Sequence, residues 1–231
     1  MSYYACSDLH GNWQLWTQIK EFLNADDTLF YLGDAADRGS DGWAILKDMY
    51  NDARVYYIVG NHDIMLADRI ARPNDYDVAN LHYHNGGQPT WDAAENDPDA
   101  KKIMRWIRKM PKYHIYENAD GLKIFMSHSG STNLKDEKDL IWNRSEYITG
   151  RSHTTPYDVV IHGHTTIPHL IRDLEEVHKF YFGDEKFKCP EWEGGAYWYH
   201  GFRCDIDCCT IRTNQTVLLD LDTFDEHIFE V

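Results

Sequence analysis

Five short apolar runs along this chain each end in glycine beside Asp, His, Asn or Ser, and that repeated ending restricts the fold more than any other feature. Tyr3 to Ser7 is followed by Asp8, His10 and Gly11, and Thr28 to Leu32 by Gly33-Asp34-Ala35-Ala36-Asp37-Arg38-Gly39. Arg54 to Val59 leads into Gly60-Asn61-His62-Asp63, Leu122 to Met126 into Ser127-His128-Ser129-Gly130, and Val159 to Ile161 into His162-Gly163-His164-Thr165. Apolar runs this short, bounded by turn formers, read as buried strands. Between the first three, Leu15, Trp16, Ile19, Phe22 and Leu23, then Trp43, Leu46 and Met49, recur at helical spacing. A β-α-β-α-β order implies parallel strands with crossover helices, which gather binding groups at the carboxyl ends of the strands.

Beyond this region the segment Pro73 to Pro98, rich in Asn, Asp and Gly, reads as an irregular excursion. Helical spacing returns at Ile103, Trp106, Ile107 and Met110, and from Arg203 onward the pattern is β-rich. A second irregular excursion is expected over 170–202. The economical assignment is one α/β domain over residues 1–231, with a second sheet and no internal repeat.

Composition narrows the function. With 42% hydrophobic and 14% aromatic residues the chain is not a disordered segment. The 38 acidic against 23 basic residues leave a formal charge of −15, which disfavours nucleic acid and anionic membranes as partners. No window approaches the roughly 20 apolar residues of a membrane span. Met1-Ser2-Tyr3-Tyr4 lacks a secretion signal, so a soluble, cytoplasmic protein is expected. Five cysteines without a CxxC pair read as reduced core thiols.

Taken singly, each strand-end residue has a plain explanation, since Asp caps helices and glycine turns the chain. Together they have the stoichiometry of a dinuclear metal site. Mixed carboxylate, imidazole and amide donors suit Mn, Fe or Zn, and the lack of thiolates argues against structural zinc.

These blocks resemble the calcineurin-like metallophosphoesterase superfamily, and within it the serine/threonine phosphoprotein phosphatase family, especially its bacteriophage lambda-type and bacterial members. The resemblance runs from Asp8 through His164 and includes His84-Asn85-Gly86-Gly87 and Trp142-Asn143-Arg144. It implies a mixed β-sandwich flanked by helices, in four αββα layers. It also implies Asp8 and His10 on a first metal, Asp34 bridging both, and Asn61, His128 and His164 on the second. His62 would be the general acid, Asp37 would hold its imidazole, and Arg38 and Arg144 would grip phosphate oxygens, as planar guanidinium groups do well. Two cations about 3.5–4 Å apart can acidify a water between them and offset charge in an in-line displacement at phosphorus. A histidine of near-neutral pKa beside a carboxylate can protonate the departing oxygen.

The expected activity is therefore that of a phosphomonoesterase with two divalent ions, Mn or Fe, with Zn also compatible. Its substrate would be a phosphorylated protein or peptide carrying phosphoserine, phosphothreonine or phosphotyrosine, or another small phosphoester. The alternative is hydrolysis of a nucleotide anhydride, as in symmetrical diadenosine tetraphosphatases. A non-catalytic binding module is a third reading, disfavoured because every ligand position and the acid are present.

Several positions depart from the resemblance. Val59 stands where an Arg commonly precedes the Gly-Asn-His block, Asp63 where many protein phosphatases have Glu, and Thr166 where related phosphodiesterases carry a further His. Asp205-Ile206-Asp207-Cys208-Cys209 replaces an Asp-Thr-Gly-like strand and carries no assigned role. His162 is expected to pack or to support a ligand; His114, His153, His169 and His200 are expected at the surface or in structural roles. The aromatic stretch Lys179 to His200 reads as a hairpin packed on the core, with a lid that stacks on a leaving group as the functional alternative.

Overall fold

In the computed structural model of the protein, which describes residues 1–144, 155–183 and 187–231, the strands form two five-stranded sheets. In the first, β1 (Tyr3–Cys6), β2 (Thr28–Tyr31) and β3 (Val55–Tyr57) run parallel. The crossovers between them are α1 (Trp13–Phe22) and α2 (Gly42–Asn51). β9 (Gln215–Asp220) then pairs antiparallel with β1, and β10 (Glu226–Glu230) closes that edge. The second sheet has the order β4 (Tyr113–Glu117), β5 (Lys123–Ser127), β6 (Val159–His162), β8 (Arg203–Asp205), β7 (Tyr197–Tyr199), with β5, β6 and β8 parallel.

Successive strand residues point to opposite faces, and both sheets use this to make two cores. Ala5, Phe30, Leu32, Val217 and Leu219 of the first sheet meet Ile124, Met126, Val159, Ile161 and Cys204 of the second in one cluster, so the sheets form a sandwich. The alternate residues Tyr4, Cys6, Leu29, Tyr31 and Leu218 face outward under Leu15, Trp16 and Ile19 of α1 and Ile45, Leu46 and Met49 of α2. Leu66 and Ile70 of α3 (Asn61–Ala71) join that layer, as do Ile103, Met104 and Ile107 of α6 (Ala100–Ile107). On the far face of the second sheet, Phe125 and Val160 pack under Leu140 of α7 (Asp139–Trp142).

Both expected excursions contain regular structure. Residues 73–98 fold into α4 (Tyr76–His84) and α5 (Gln88–Ala94). The residues that suggested a loop are helix punctuation: the Asp75 side chain accepts from Val78 N, and proline opens α5. The 170–202 excursion begins in α8 (Ile167–Phe182), which buries Ile167, Leu170 and Leu174 on one stripe and ends at Gly183, where φ is +66. Of the expected hairpin over 179–200, the first part is the end of this helix, residues 184–186 lie outside the described residues, and β7 pairs antiparallel with β8 and packs Tyr197 and Tyr199 into the core. No helix among the described residues is long and apolar enough to cross a membrane. All five cysteines are free thiols, as expected.

Ile161 is wholly buried between the sheets. Ile161→Ala is expected to cost about 2–5 kcal/mol of unfolding free energy, read as a lower urea midpoint at unchanged slope; an unshifted midpoint would contradict the sandwich core.

Candidate active site

The backbone ladder of the parallel strands continues past their ends and carries the site loops with it. Leu32 N donates to Cys6 O (2.8 Å), Asp8 N to Gly33 O (3.1 Å) and His10 N to Asp34 O (3.1 Å), so the first two loops are laced together. Within them Asp8, His10, Asp34, Asp37 and Arg38 all adopt positive φ, as does His164 in the loop after β6. For residues with a Cβ this left-handed conformation costs about 1–2 kcal/mol each. Tertiary packing holds it, and it turns each side chain toward a common centre.

Asp34 is that centre. Two groups of potential ligand atoms, His10 with Asp34 and His62, and Asp34 with His128 and His164, each lie within 4.8 Å of one another, and all five residues are buried. One Asp34 oxygen accepts from His62 N (2.9 Å) at the start of α3, where the helix end favours a negative charge. The other lies 3.2 Å from His128 Nε2 and 3.9 Å from His62 Nε2. Burial opposes ionisation of Asp34, but His128 and His62 outweigh it and hold the carboxyl well below the usual range. Asp63 buttresses the same residue by accepting from Asp34 N (3.1 Å), Gly60 N (2.8 Å) and the Tyr57 hydroxyl (2.9 Å). Burial and the neighbouring Asp34 charge push Asp63 up to about 7.

The imidazoles are presented in one tautomer. His10 Nδ1 donates to Ala36 O (2.9 Å) and His128 Nδ1 to Leu32 O (2.7 Å), which leaves Nε2 of each facing inward. His10 is pushed down to about 3 by burial, with Arg38 and His62 adding repulsion, so its inward nitrogen carries no proton. His164 is likewise held well below its ordinary value by burial, His128 and Arg144. His128 differs: burial lowers it, but Asp34 and Asp8 prevail and push it up to about 10. Its Nε2 faces Asn61 Oδ1 (3.0 Å) as well as Asp34. Asp8 stands outside the two groups but near them, 3.6 Å from His10 Nε2, and accepts from His164 N (3.1 Å) and the Ser7 hydroxyl. Burial and Asp34 raise Asp8 to about 6. A Cβ on Gly163 would collide with the Asp8 carboxylate and Ser7, which explains the glycine between His162 and His164.

Arg38 and Arg144 are exposed at the rim. Arg38 reaches His10 Nε2 (2.7 Å) and His62 Nε2 (3.0 Å), while Arg144 donates to His164 Nε2 (3.2 Å). His62 Nδ1 donates to Asp37 (2.8 Å). Burial opposes the Asp37 charge, yet hydrogen bonds from His62 and His82 bring it down to about 2. Every residue singled out in the sequence as ligand, acid or phosphate contact therefore lies in one constellation. Sequence reasoning missed His82, whose only signal was its place three residues before Asn85 in the His-Asn-Gly-Gly block.

The remaining expectations sort by environment. His162 is buried and packs, with Nε2 2.6 Å from the Tyr199 hydroxyl. His114 stacks on Phe30, His169 is half-buried, His200 is exposed, and His153 lies outside the described residues. Val59 is buried in the apolar cluster beneath the first sheet. The aromatic stretch divides: Tyr197 and Tyr199 are buried, whereas Phe180 and Tyr181 are exposed at the end of α8. Asp205 and Asp207 are buried with one carboxylate oxygen each lacking a partner, and burial raises both well above the carboxylate range, aided by their mutual repulsion at Asp205 and by Asp8 at Asp207.

The donor set fits divalent cations. Inward-facing imidazole nitrogens, two carboxylates and an amide oxygen converge on one buried centre, with two guanidinium groups at its rim. Residues 1–201 match the calcineurin-like phosphoesterase family. The chain belongs to this family. Among curated proteins it is 28% identical over 150 residues to the symmetrical bis(5'-nucleosyl)-tetraphosphatase of Wigglesworthia glossinidia brevipalpis, covering 62% of this chain and 50% of that protein. It is 31% identical over 134 residues to the protein of the same name from Buchnera aphidicola subsp. Acyrthosiphon pisum (strain Tuc7), covering 56% and 44%. The chain thus spans about half the length of the curated relatives it matches. A crystal structure of a candidate diadenosine tetraphosphatase superposes with a TM-score of 0.62 at 12% identity, over 98% of this chain and 92% of that one, which is a likeness of fold. The superfamily expectation holds. The narrower expectation of a protein serine/threonine phosphatase is corrected, because the curated relatives carry the name of a tetraphosphatase. The motif blocks could not make this distinction, since the residues around phosphorus serve both substrates.

A ligand at 100 times its Kd stabilises a fold by about 2.7 kcal/mol, or about 5–10 °C for a chain of this size. Saturating Mn is expected to raise the unfolding midpoint of the chelator-treated protein by about that much, and Asp34→Asn should abolish most of the shift. An equal shift in wild type and variant would place the metal elsewhere.

Proposed function

We propose that the protein is a metal-dependent hydrolase of nucleotide anhydrides, cleaving dinucleoside tetraphosphates symmetrically. The observation that carries this reading is the pair of ligand groups sharing Asp34, taken with the tetraphosphatase names of the relatives. Asp8, His10 and Asp34 would hold one divalent ion, and Asp34, Asn61, His128 and His164 the other. Mn and Fe suit these oxygen and nitrogen donors, and Zn is compatible. When bound, such a pair supplies an acidified water and charge neutralisation at phosphorus.

The chain's own residues supply binding and proton transfer. Arg38 and Arg144 rest on imidazole nitrogens at opposite clusters, and phosphate oxygens of an incoming polyanion would take over those donors. His62, steered by Asp37 through Nδ1, presents Nε2 to the leaving oxygen. Water adds across the central anhydride bond: its oxygen joins phosphorus, and a proton reaches the departing phosphate through His62. Dividing four phosphates symmetrically gives two nucleoside diphosphates. An anhydride leaves as a phosphate, a weaker base than an alkoxide, so the demand on His62 is smaller than for an alkyl ester.

With Mn present, diadenosine tetraphosphate is expected to yield ADP as the sole nucleotide product, at a kcat/KM at least about tenfold above that for a phosphoserine peptide. His62→Asn should lower kcat on the dinucleotide by about 100-fold, the low end for general acid catalysis. Release of ATP and AMP, or faster turnover of the peptide, would reject this substrate assignment.

A further inference from the structure

Asp37 is held by two imidazoles. Besides His62 Nδ1 at 2.8 Å, His82 Nε2 lies 3.0 Å from both Asp37 oxygens, and His82 and Asp37 are each completely buried. His82 is itself fixed from behind: Arg69 Nη1 points at its Nδ1 from 3.4 Å, while the same guanidinium donates to Gln88 (3.1 Å) and lies 4.3 Å from the Trp91 ring. A guanidinium can only donate, so His82 Nδ1 is the accepting nitrogen and Nε2 carries the proton given to Asp37. Asp37 N donates to Thr90 Oγ1 (2.8 Å), which anchors its positive-φ backbone to α5. His82 sits on α4 and Gln88, Thr90 and Trp91 on α5, while Arg69 and His62 come from α3.

We infer that His82 is a positioning residue for proton transfer, fixing the Asp37 carboxylate in the one orientation that aims His62 Nε2 at the leaving oxygen. This rests on the reading of His62 as the acid. A carboxylate held by His62 alone could rotate about its side-chain bonds and carry the imidazole with it. The second donor, contacting both oxygens, removes that freedom, and small angular errors at a proton donor are costly. Gly87 belongs to the same device: a Cβ there would overlap the His82 ring at three atoms, so only glycine lets the imidazole lie against the turn. The second glycine of the His-Asn-Gly-Gly block thus makes room for His82.

The test compares leaving groups that need a proton with ones that do not. Phenyl phosphate and 2,4-dinitrophenyl phosphate serve as probes, with Mn, for wild type, His82→Leu and His82→Gln. His82→Leu should lower kcat on phenyl phosphate by about tenfold or more, a fraction of the range for general acid catalysis, and change kcat on the dinitrophenyl ester by less than about twofold, with KM unaltered. His82→Gln, which keeps an N–H donor, should recover most of the loss. Equal losses on both esters, or none on either, would overturn the assignment. A second readout is independent of turnover: proton NMR of the metal-free protein should show slowly exchanging imidazole N–H signals from the two histidines on Asp37 among those of the other buried imidazoles. His62→Asn should remove one of these signals and His82→Leu a different one. If wild type hydrolyses neither ester, the anhydride reading is still judged by the dinucleotide assay and these spectra judge the geometry; a His82→Leu spectrum that loses no slowly exchanging signal would refute the shared carboxylate.

Discussion

The whole site depends on a buried carboxylate, Asp34, that stays ionised. Taking a charge out of water costs several kcal/mol unless hydrogen bonds and opposite charges replace the solvent. Here the N-terminus of α3, His128 and His62 do so. These partners come from the end of β3 in one sheet and the end of β5 in the other, so the charge can be accommodated only when both sheets and α3 are in register. Ordering runs in both directions: the fold makes the charge tolerable, and the charge makes the fold's loop ends attract cations.

The loops themselves are unfavourable local structures. Six residues of the constellation occupy left-handed backbone, and a histidine or aspartate finds no reason there to remain so in isolation. What offsets this is the continuation of the β-ladder into the loops and the apolar packing on either side of each parallel strand. The rim carries Arg38 and Arg144 while the interior carries the imidazoles and carboxylates. Under the proposed function, a chain of net charge −15 would meet its phosphate substrate at these two guanidinium groups.

Much of this was legible in the sequence for a specific reason. Strand-end glycines beside Asp and His mark places where the chain must turn sharply next to a chemical group, and parallel strands bring such places together. Fold class and the gathering of Asp8, His10, Asp34, Asn61, His62, His128 and His164 followed. What was not legible depended on distant partners or on double meanings. His82 touches Asp37 across 45 positions, with no periodicity to link them. Asp75 and the proline of α5 are equally at home in loops and at helix starts, which made residues 73–98 look irregular. Substrate choice lay beyond the motif residues altogether, because the groups around phosphorus are common to esters and anhydrides.

The central claim is tested most directly by anomalous diffraction from crystals equilibrated with Mn. Two peaks are predicted, both adjoining the Asp34 carboxylate, one toward His10 and Asp8 and the other toward Asn61, His128 and His164. Manganese bound only away from Asp34, or a single ion with Asp34 uninvolved, would contradict the account.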